Sequence, residues 1–272
     1  MKRHCSAIVL RCLVGLLAGC VAACTPIPPT TVAPNATLRV MAYNVKTGLG
    51  LDGRRDLSRI AEVIRAAAPD VVTLQEIDRG ATRSARVDQP RALGRRLGMD
   101  HAYGPFMAFQ GGEYGMAVLS RYPIRDARNL PLPEGRREPR TALAIEVETP
   151  AGVVTVVGVH LDWLADDAER FAQAEALIAH VETLDGPVVL AGDFNDEPGS
   201  RTITLLRERF VEVAKPAGER FTFPAGTPDR EIDYVFLRPA AGLRGISARV
   251  IDEPVASDHR PVVAECTLRS SP

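Results

Sequence analysis

The sequence predicts an α/β chain in which two β-sheets pack face to face with helices outside. Three observations carry that prediction. Strand-like runs dominate, and they are short, rich in Val and bounded by turn formers. Only two helical faces stand out clearly. Some strand runs are apolar throughout while others alternate, the difference between burial on both faces and on one.

The elements follow in order. "LRVMAYNV" (38–45) opens the domain as a strand. Between Asp56 and Ala68, the residues Leu57, Ile60, Ala61, Ile64, Ala67 and Ala68 share one face at helical spacing, with Asp56 as N-cap. "DVVTLQ" (70–75) is the next strand, and a weaker helix is expected near 90–98. "YGMAVLS" (114–120), "TALAIEV" (141–147) and "VVTVVGVHL" (153–161) read as strands. From Asp166 to Leu184, Phe171, Ala174, Leu177, Ile178 and Val181 form the second helical face. "PVVLAG" (187–192) returns to strand, and a second weak helix is expected near 200–208. "EIDYVFL" (231–237), "SARVI" (247–251) and "PVVAECTL" (261–268) close the domain. Connections read as short, and no fixed-period repeat is evident.

The domain spans about residues 38–268 of a 272-residue chain whose 33 basic and 34 acidic residues nearly cancel. Such a balance excludes nucleic-acid binding through a general basic field. Residues 1–23 differ. A basic start, "MKRH", precedes an apolar run broken only by Arg11, the layout of an export signal rather than of a spanning helix. "LAGC", ending at Cys20, and "VAAC", ending at Cys24, each resemble the lipobox of bacterial lipoproteins, with Cys20 the first choice for lipidation and Cys24 the second. Residues 24–37, rich in Pro and Thr, read as an extended tether. The expected location is the bacterial cell envelope, lipid-anchored and extracytoplasmic, or otherwise periplasmic or secreted. Only Cys266 lies in the body, so no disulfide framework is available and the domain must stand on its core. A monomer is the simplest expectation.

Several strands end in polar residues of a restricted kind. Asn44 follows one apolar run, Gln75 and Glu76 another, His160 and Asp162 a third, and Asp193 and Asn195 a fourth. Asp233 sits inside an apolar segment, and Asp258 and His259 precede the last strand. Any one of these serves a turn or a cap. Together they are the residue types that bind hard cations and move protons. Mg²⁺ or Mn²⁺ takes oxygen ligands and needs few carboxylates when a substrate phosphate completes its shell. His160 and His259 are candidates for proton transfer or phosphate contact, and either Asp233 or Asp258 could orient His259. No Cys or paired-His spacing points to zinc, and no Gly-rich phosphate loop or Gly-x-Ser-x-Gly elbow is present.

"MAYNV", "LQEID", "GMAVLSRYPI", "GVHLDW", "GDFN", "IDYVFL" and "SDHRPV", in that order, resemble the endonuclease/exonuclease/phosphatase superfamily, also called DNase I-like. The short bacterial metal-dependent hydrolases are the most similar branch, and the likeness spans residues 38–268. It implies a four-layer α/β sandwich of two mixed β-sheets. It also implies a Mg²⁺- or Mn²⁺-dependent hydrolase that attacks a phosphodiester or phosphomonoester with water, without a covalent intermediate. Glu76 would be the principal metal ligand, with Asn44 beside it in the metal and phosphate shell. Asp193 would activate the water and Asn195 would hold a phosphate oxygen. His259, oriented by Asp233, would stabilise the developing charge, and His160 would help protonate the leaving oxygen. Asp258 would support the metal's water shell or a second ion. Arg140 falls where many members carry a phosphate-facing basic residue.

One departure is Lys46, two positions after Asn44, where several nucleases carry an acid; two-metal schemes lose a ligand there. Trp163, the only Trp, follows the His160 motif and could line the pocket, although a core or surface packing role is its simpler reading. The basic cluster "EGRREPR" (134–140) reads as a solvated loop apart from Arg140. Alternative readings are an envelope-tethered or secreted nuclease, which the charge balance does not favour, and a binding protein on a retired catalytic fold.

Overall fold

Each sheet owes its place to strands whose two faces bury different partners. The computed structural model describes residues 35–239 and 242–269; the expected export signal, Cys20, Cys24 and most of the expected tether lie outside the described residues. In chain order the elements are β1 (Asn35–Asn44), α1 (Leu57–Ala67), β2 (Val71–Arg79), α2 (Gln89–Leu97), β3 (Asp100–Phe109) and β4 (Gly112–Ser120). There follow β5 (Ile124–Pro131), β6 (Thr141–Thr149), β7 (Gly152–His160), α3 (Ala168–Glu182), β8 (Val188–Asp193) and α4 (Arg201–Arg209). The last are β9 (Val211–Glu212), β10 (Asp233–Leu237), β11 (Leu243–Val250) and β12 (Val262–Arg269).

Two six-stranded sheets result, in the orders β11-β12-β1-β2-β4-β3 and β5-β6-β7-β8-β10-β9. Val40 and Ala42 on β1 face the gap between the sheets, where they meet a core that includes Ile145, Val156, Val189 and Val235. The alternate residues Met41 and Tyr43 face outward onto Ile60, Ile64 and Leu93 of α1 and α2. On the other sheet, Val157, Val159, Leu190 and Phe236 face outward onto Leu177, Val181, Ile203 and Leu206 of α3 and α4. The order is therefore helices, sheet, sheet, helices, the four-layer α/β sandwich.

The two sheets repeat one plan. Each has a single parallel pair at its centre, β1 with β2 and β7 with β8, and the other ladders are antiparallel. Helices α1 and α3 make the crossovers between the members of these pairs. Sequence shows no repeat, so the plan is one of topology.

Helix boundaries follow side-chain chemistry. Asp56 caps α1 by accepting from the N–H groups of Ser58 at 2.8 Å and Arg59 at 3.3 Å, and Ala68, at φ 50, ends it in the left-handed region ahead of Pro69. Ser200 caps α4 through Ile203 N–H at 3.1 Å. Helix α3 begins two residues later than the periodicity suggests. The Asp167 carboxylate, which could have capped it, is taken by Arg201 at 2.8 Å.

Three strands escape the sequence pattern. β3 carries Gly104 and Pro105 and lies at a sheet edge, with a bulge beside Pro105. β5 is an exposed, charged edge strand, and β9 has two residues. The expectation of short connections also fails once: residues 213–232, between β9 and β10, form a long irregular segment that returns to the functional cleft.

Candidate active site

Parallel pairing brings the strand-end residues to one end of both sheets. Asn44 closes β1, Gln75 and Glu76 fall within β2, and His160 and Asp193 close β7 and β8 as register partners. Asp233 opens β10 directly opposite Asp193. The segment before β12 brings Asp258 and His259 to the same place, tied by a hydrogen bond from Ser257 Oγ to the Asn44 carbonyl at 2.7 Å. Of these, Glu76, His160, Asp193, Asp258 and His259 line a cleft of about 420 Å³.

The site joins the two sheets. Asn44 Nδ2 donates to Glu76 Oε1 and to Asp193 Oδ2, both at 3.1 Å. Just below, Thr73 Oγ1 donates across the gap to the Ala191 carbonyl at 3.0 Å. His259 Nδ1 lies 3.0 Å from Asp233 Oδ2, and its Nε2 lies 3.6 Å from Asp193 Oδ2. His160 Nε2 lies 3.6 Å from the same Asp193 oxygen. Asp193 thus stands between two imidazoles and an amide. The choice that sequence left open, Asp233 or Asp258 beside His259, falls to Asp233, because Asp258 Oδ2 pairs with Lys46 Nζ at 2.6 Å.

Local backbone is adjusted to make this possible. Among the residues at φ > 0 other than Gly, Glu76 and Asn195 line the cleft, and Lys46 pairs with its Asp258. Such conformations cost free energy and persist where the surroundings over-determine them. At Glu76 the cause is a bulge: the β2–β4 register shifts between Leu74 and Ile77, which re-aims the carboxylate into the cleft. Asn195 is held by its N–H on Asp193 Oδ1 at 2.9 Å and by its Nδ2 on the Leu161 carbonyl at 3.0 Å.

Burial sets the charges. It pushes the Asp193 carboxyl up to about 7, against the His259 charge and the hydrogen bonds from Asn44 and Asn195, while Asp233 adds to the rise. For His259, burial pulls downward, but the charges of Asp233 and Asp193 outweigh it and hold the ring protonated to about 10. His160 is driven well below the usual histidine range by burial, and then by the charges of Arg140 and His259, so it is neutral. Burial also raises Glu76, opposed by the Asn44 hydrogen bond.

Arg140 is 3% exposed and lines the cleft, with its guanidinium 5.2 Å from the Phe106 ring centroid. Its Nε and Nη1 have no aligned hydrogen-bond acceptor, although a Glu138 oxygen lies 3.0 Å from Nη1. A buried guanidinium in this condition suits an anion from outside.

Divalent-metal binding can be tested on the donors present. Asp193, Asp233 and His259 place ligand atoms within 4.8 Å of one another. The His259 imidazolium has no lone pair to offer, so this cluster is a proton and charge device. Glu76 and Asp193 are both carboxylates raised by burial, and Asn44 bridges them. Oxygen donors in that condition fit a hard divalent cation. Glu76 with Asn44 is the pair that would hold it.

Sequence reasoning missed part of the cleft: Arg83, Met107, Phe109, Tyr114, Glu138, Phe223 and Arg230 line it. They come from the edge strand β3, its partner β4, and irregular segments, where no periodicity marks a residue. Phe223 packs on the His259 ring at 4.8 Å between centroids. Trp163, expected to pack, is instead about half exposed and lines the cleft. Of the basic cluster, Arg136 pairs with Glu169 and Asp166 at the surface, as a solvated loop residue would.

A family model described as endonuclease/exonuclease/phosphatase family matches residues 41–259. The uncharacterized protein YbhP of Escherichia coli strain K12 is 30% identical over 251 residues, which cover 85% of this chain and 97% of that one. A solved endonuclease/exonuclease/phosphatase from Beutenbergia cavernae superposes with a TM-score of 0.70 at 26% identity, over 86% of this chain and 72% of that one. The human Nocturnin catalytic domain, solved with a bound sulfate anion, superposes with a TM-score of 0.64 at 20% identity, over 89% of this chain and 99% of that one, a likeness of fold.

Proposed function

The chain belongs to the endonuclease/exonuclease/phosphatase family, and on that premise we propose that it is a divalent-metal-dependent phosphoesterase. It hydrolyses a phosphodiester or phosphomonoester by in-line attack of water. The observation that carries this reading is the pairing of a buried His259 imidazolium with a buried, under-partnered Arg140 guanidinium at one cleft, beside a carboxylate poised near neutrality. Two fixed cations receive a phosphate, and the carboxylate receives a proton.

The roles follow from position. Arg140 and Asn195 bind non-bridging phosphate oxygens, and His259, kept protonated by Asp233, stabilises the charge that develops on them. Asp193 orients the attacking water and takes its proton. His160, neutral in the free protein, gains a proton as the phosphate's negative charge closes over it and returns that proton to the leaving oxygen. Glu76 and Asn44 hold Mg²⁺ or Mn²⁺, which when bound adds Lewis-acid polarisation of the phosphoryl group. Lys46 already neutralises Asp258, which leaves one cation as the working number.

Purified residues 25–272 supplied with Mg²⁺ or Mn²⁺ are expected to hydrolyse an aryl phosphodiester, and a chelator is expected to stop the reaction. Asp193→Asn and His259→Ala each lower kcat by about 10²–10⁴-fold with the fold intact by circular dichroism. A protein that turns over no phosphoester with either metal would refute the reading in favour of a binding protein.

The same proposal places the domain outside the cytoplasm on a lipid anchor at Cys20 or Cys24. The basic and apolar leader and its two lipobox-like sequences support that. Among the described residues no helix is long and apolar enough to cross a membrane. Mass spectrometry of the mature N-terminus decides: a diacylated cysteine is expected, and an unmodified terminus would remove the anchor.

A further inference from the structure

Trp163 is the one tryptophan of the chain. It is 53% exposed, yet it lines the cleft three residues past His160. A single exposed apolar residue on a free loop would need no explanation. This loop is not free. The N–H of Asp162 donates to Gln173 Oε1 at 2.8 Å, and the N–H of Leu164 donates to Asp162 Oδ1 at 2.8 Å. The buried Arg170 donates through Nη1 to the carbonyls of Asp162 at 3.1 Å and Leu164 at 2.9 Å, and through Nε to Asp196 Oδ2 at 2.9 Å. The backbone on both sides of Trp163 is therefore pinned, and pinned to the loop that carries Asn195.

Fixing the backbone beneath an exposed ring costs conformational freedom that the ring's own burial does not offset, which is the condition of a preorganised binding surface. The cleft also contains Phe109, with the Arg83 guanidinium 4.3 Å from its ring centroid. Asp78 occupies the Nε and Nη2 donors of Arg83 at 2.9 and 2.8 Å, and the guanidinium lies over the Tyr114 ring as well at 4.8 Å, so this wall of the cleft is a packed cluster of planar groups. An indole, a phenyl ring and a guanidinium face suit a planar π-system better than an alkyl chain or a polyol.

We propose that Trp163 is the stacking platform for a planar ring carried by the phosphoester, so that the substrate is a nucleoside or aryl ester rather than an alkyl one. The inference rests on the phosphoesterase reading and names its substrate class. Arg170 is then a positioning residue that acts through the Trp163 backbone.

Because the chain has one tryptophan, indole fluorescence reports this residue alone. With Mg²⁺ present, adenosine 5′-monophosphate is expected to quench it, and glycerol phosphate, which bears the same head without a ring, is not. Trp163→Ala is expected to raise KM for an adenosine 5′-methylphosphate ester about 10–100-fold with kcat little changed. The same variant leaves KM for the glycerol methylphosphate ester unmoved, and Trp163→Phe restores most of the loss. Equal quenching by both ligands, or equal KM changes on both esters, would overturn the platform and leave the hydrolase reading standing. A wild-type protein that hydrolyses neither ester yet is quenched by the nucleotide alone would overturn the hydrolase reading and keep the platform.

Discussion

His259 carries its charge because Asp233 and Asp193 flank its buried ring, and that charge has a thermodynamic consequence. The folded state holds the His259 proton to about 10, whereas an unperturbed histidine releases it near 6.5. The stability gained is complete below the lower value and is lost as pH rises toward the upper one. Below about 6.5, His160 and Asp193 act in opposite senses: His160 binds its proton less tightly when folded, and Asp193, raised to about 7, binds it more tightly. Without metal, the melting temperature is therefore expected to change little from pH 5 to 6.5 and to fall between pH 7 and 9. Asp233→Asn should remove most of that fall and, with metal, lower kcat about 10²–10⁴-fold. Scanning fluorimetry with a chelator measures the first effect; a melting point that climbs from pH 7 to 9 would contradict it. These residues were legible because each lies next to a strand that announces itself. Glu76 was legible as a residue but not as a geometry, since nothing in "LQEID" signals the bulge that turns it. Trp163 was legible only as the second of two readings, and Arg83 was not legible as a cleft residue, because their positions depend on hydrogen bonds between segments apart in sequence.

Elements hold the site through close backbone approach. Gly192, the residue before Asp193, sits where any Cβ would overlap the Val159 carbonyl on the neighbouring parallel strand. A methyl group there has to part β8 from β7 and so His160 from Asp193. Gly192→Ala is expected to cost about 1–3 kcal/mol in chemical denaturation and to lower activity well beyond that loss of folded protein. Gly199→Ala, with open space around it, serves as the neutral control. Helices α1 and α3 were readable from their apolar faces, and α1 from its cap as well, while α2 and α4 were only weakly marked; the central strands were readable from their apolar runs. The edge strands β3 and β5 were not, because an edge is protected by charge, Pro and bulges, which erase the alternation that marks a strand. Behind β10, Lys215 forms a buried pair with Glu231 at 2.9 Å and donates to the Asp233 carbonyl at 2.8 Å. Lys215→Met leaves Glu231 without its nearest cation and is expected to cost about 3–5 kcal/mol, read in the same denaturation experiment.

Taken whole, the molecule is two copies of one topology, a relation absent from the residue pattern because the halves share connectivity and not side chains. The match is complete only if the chain is read from β11 onward: hairpin, strand, helix, strand, helix, two strands, and then the same again from β5. Asn35 on β1 pairs with Arg269 on β12, so a short linker can join them. A circular permutant that starts at Leu243 and runs through such a linker into β1 is expected to fold cooperatively and to retain the metal-dependent hydrolysis proposed for the natural order. Loss of the folded state in circular dichroism would show that the natural order of strands is itself required. That natural order has a consequence in time. β12 lies inside its sheet, between β11 and β1, and the segment just ahead of it delivers Asp258 and His259. A chain still emerging from the ribosome can assemble the second sheet from residues already made, but it must wait for its final strand before the first sheet closes and His259 reaches Asp233. Until β12 and the segment ahead of it have been made, the first sheet lacks its β11–β12 edge and Asp193 faces no imidazole from His259.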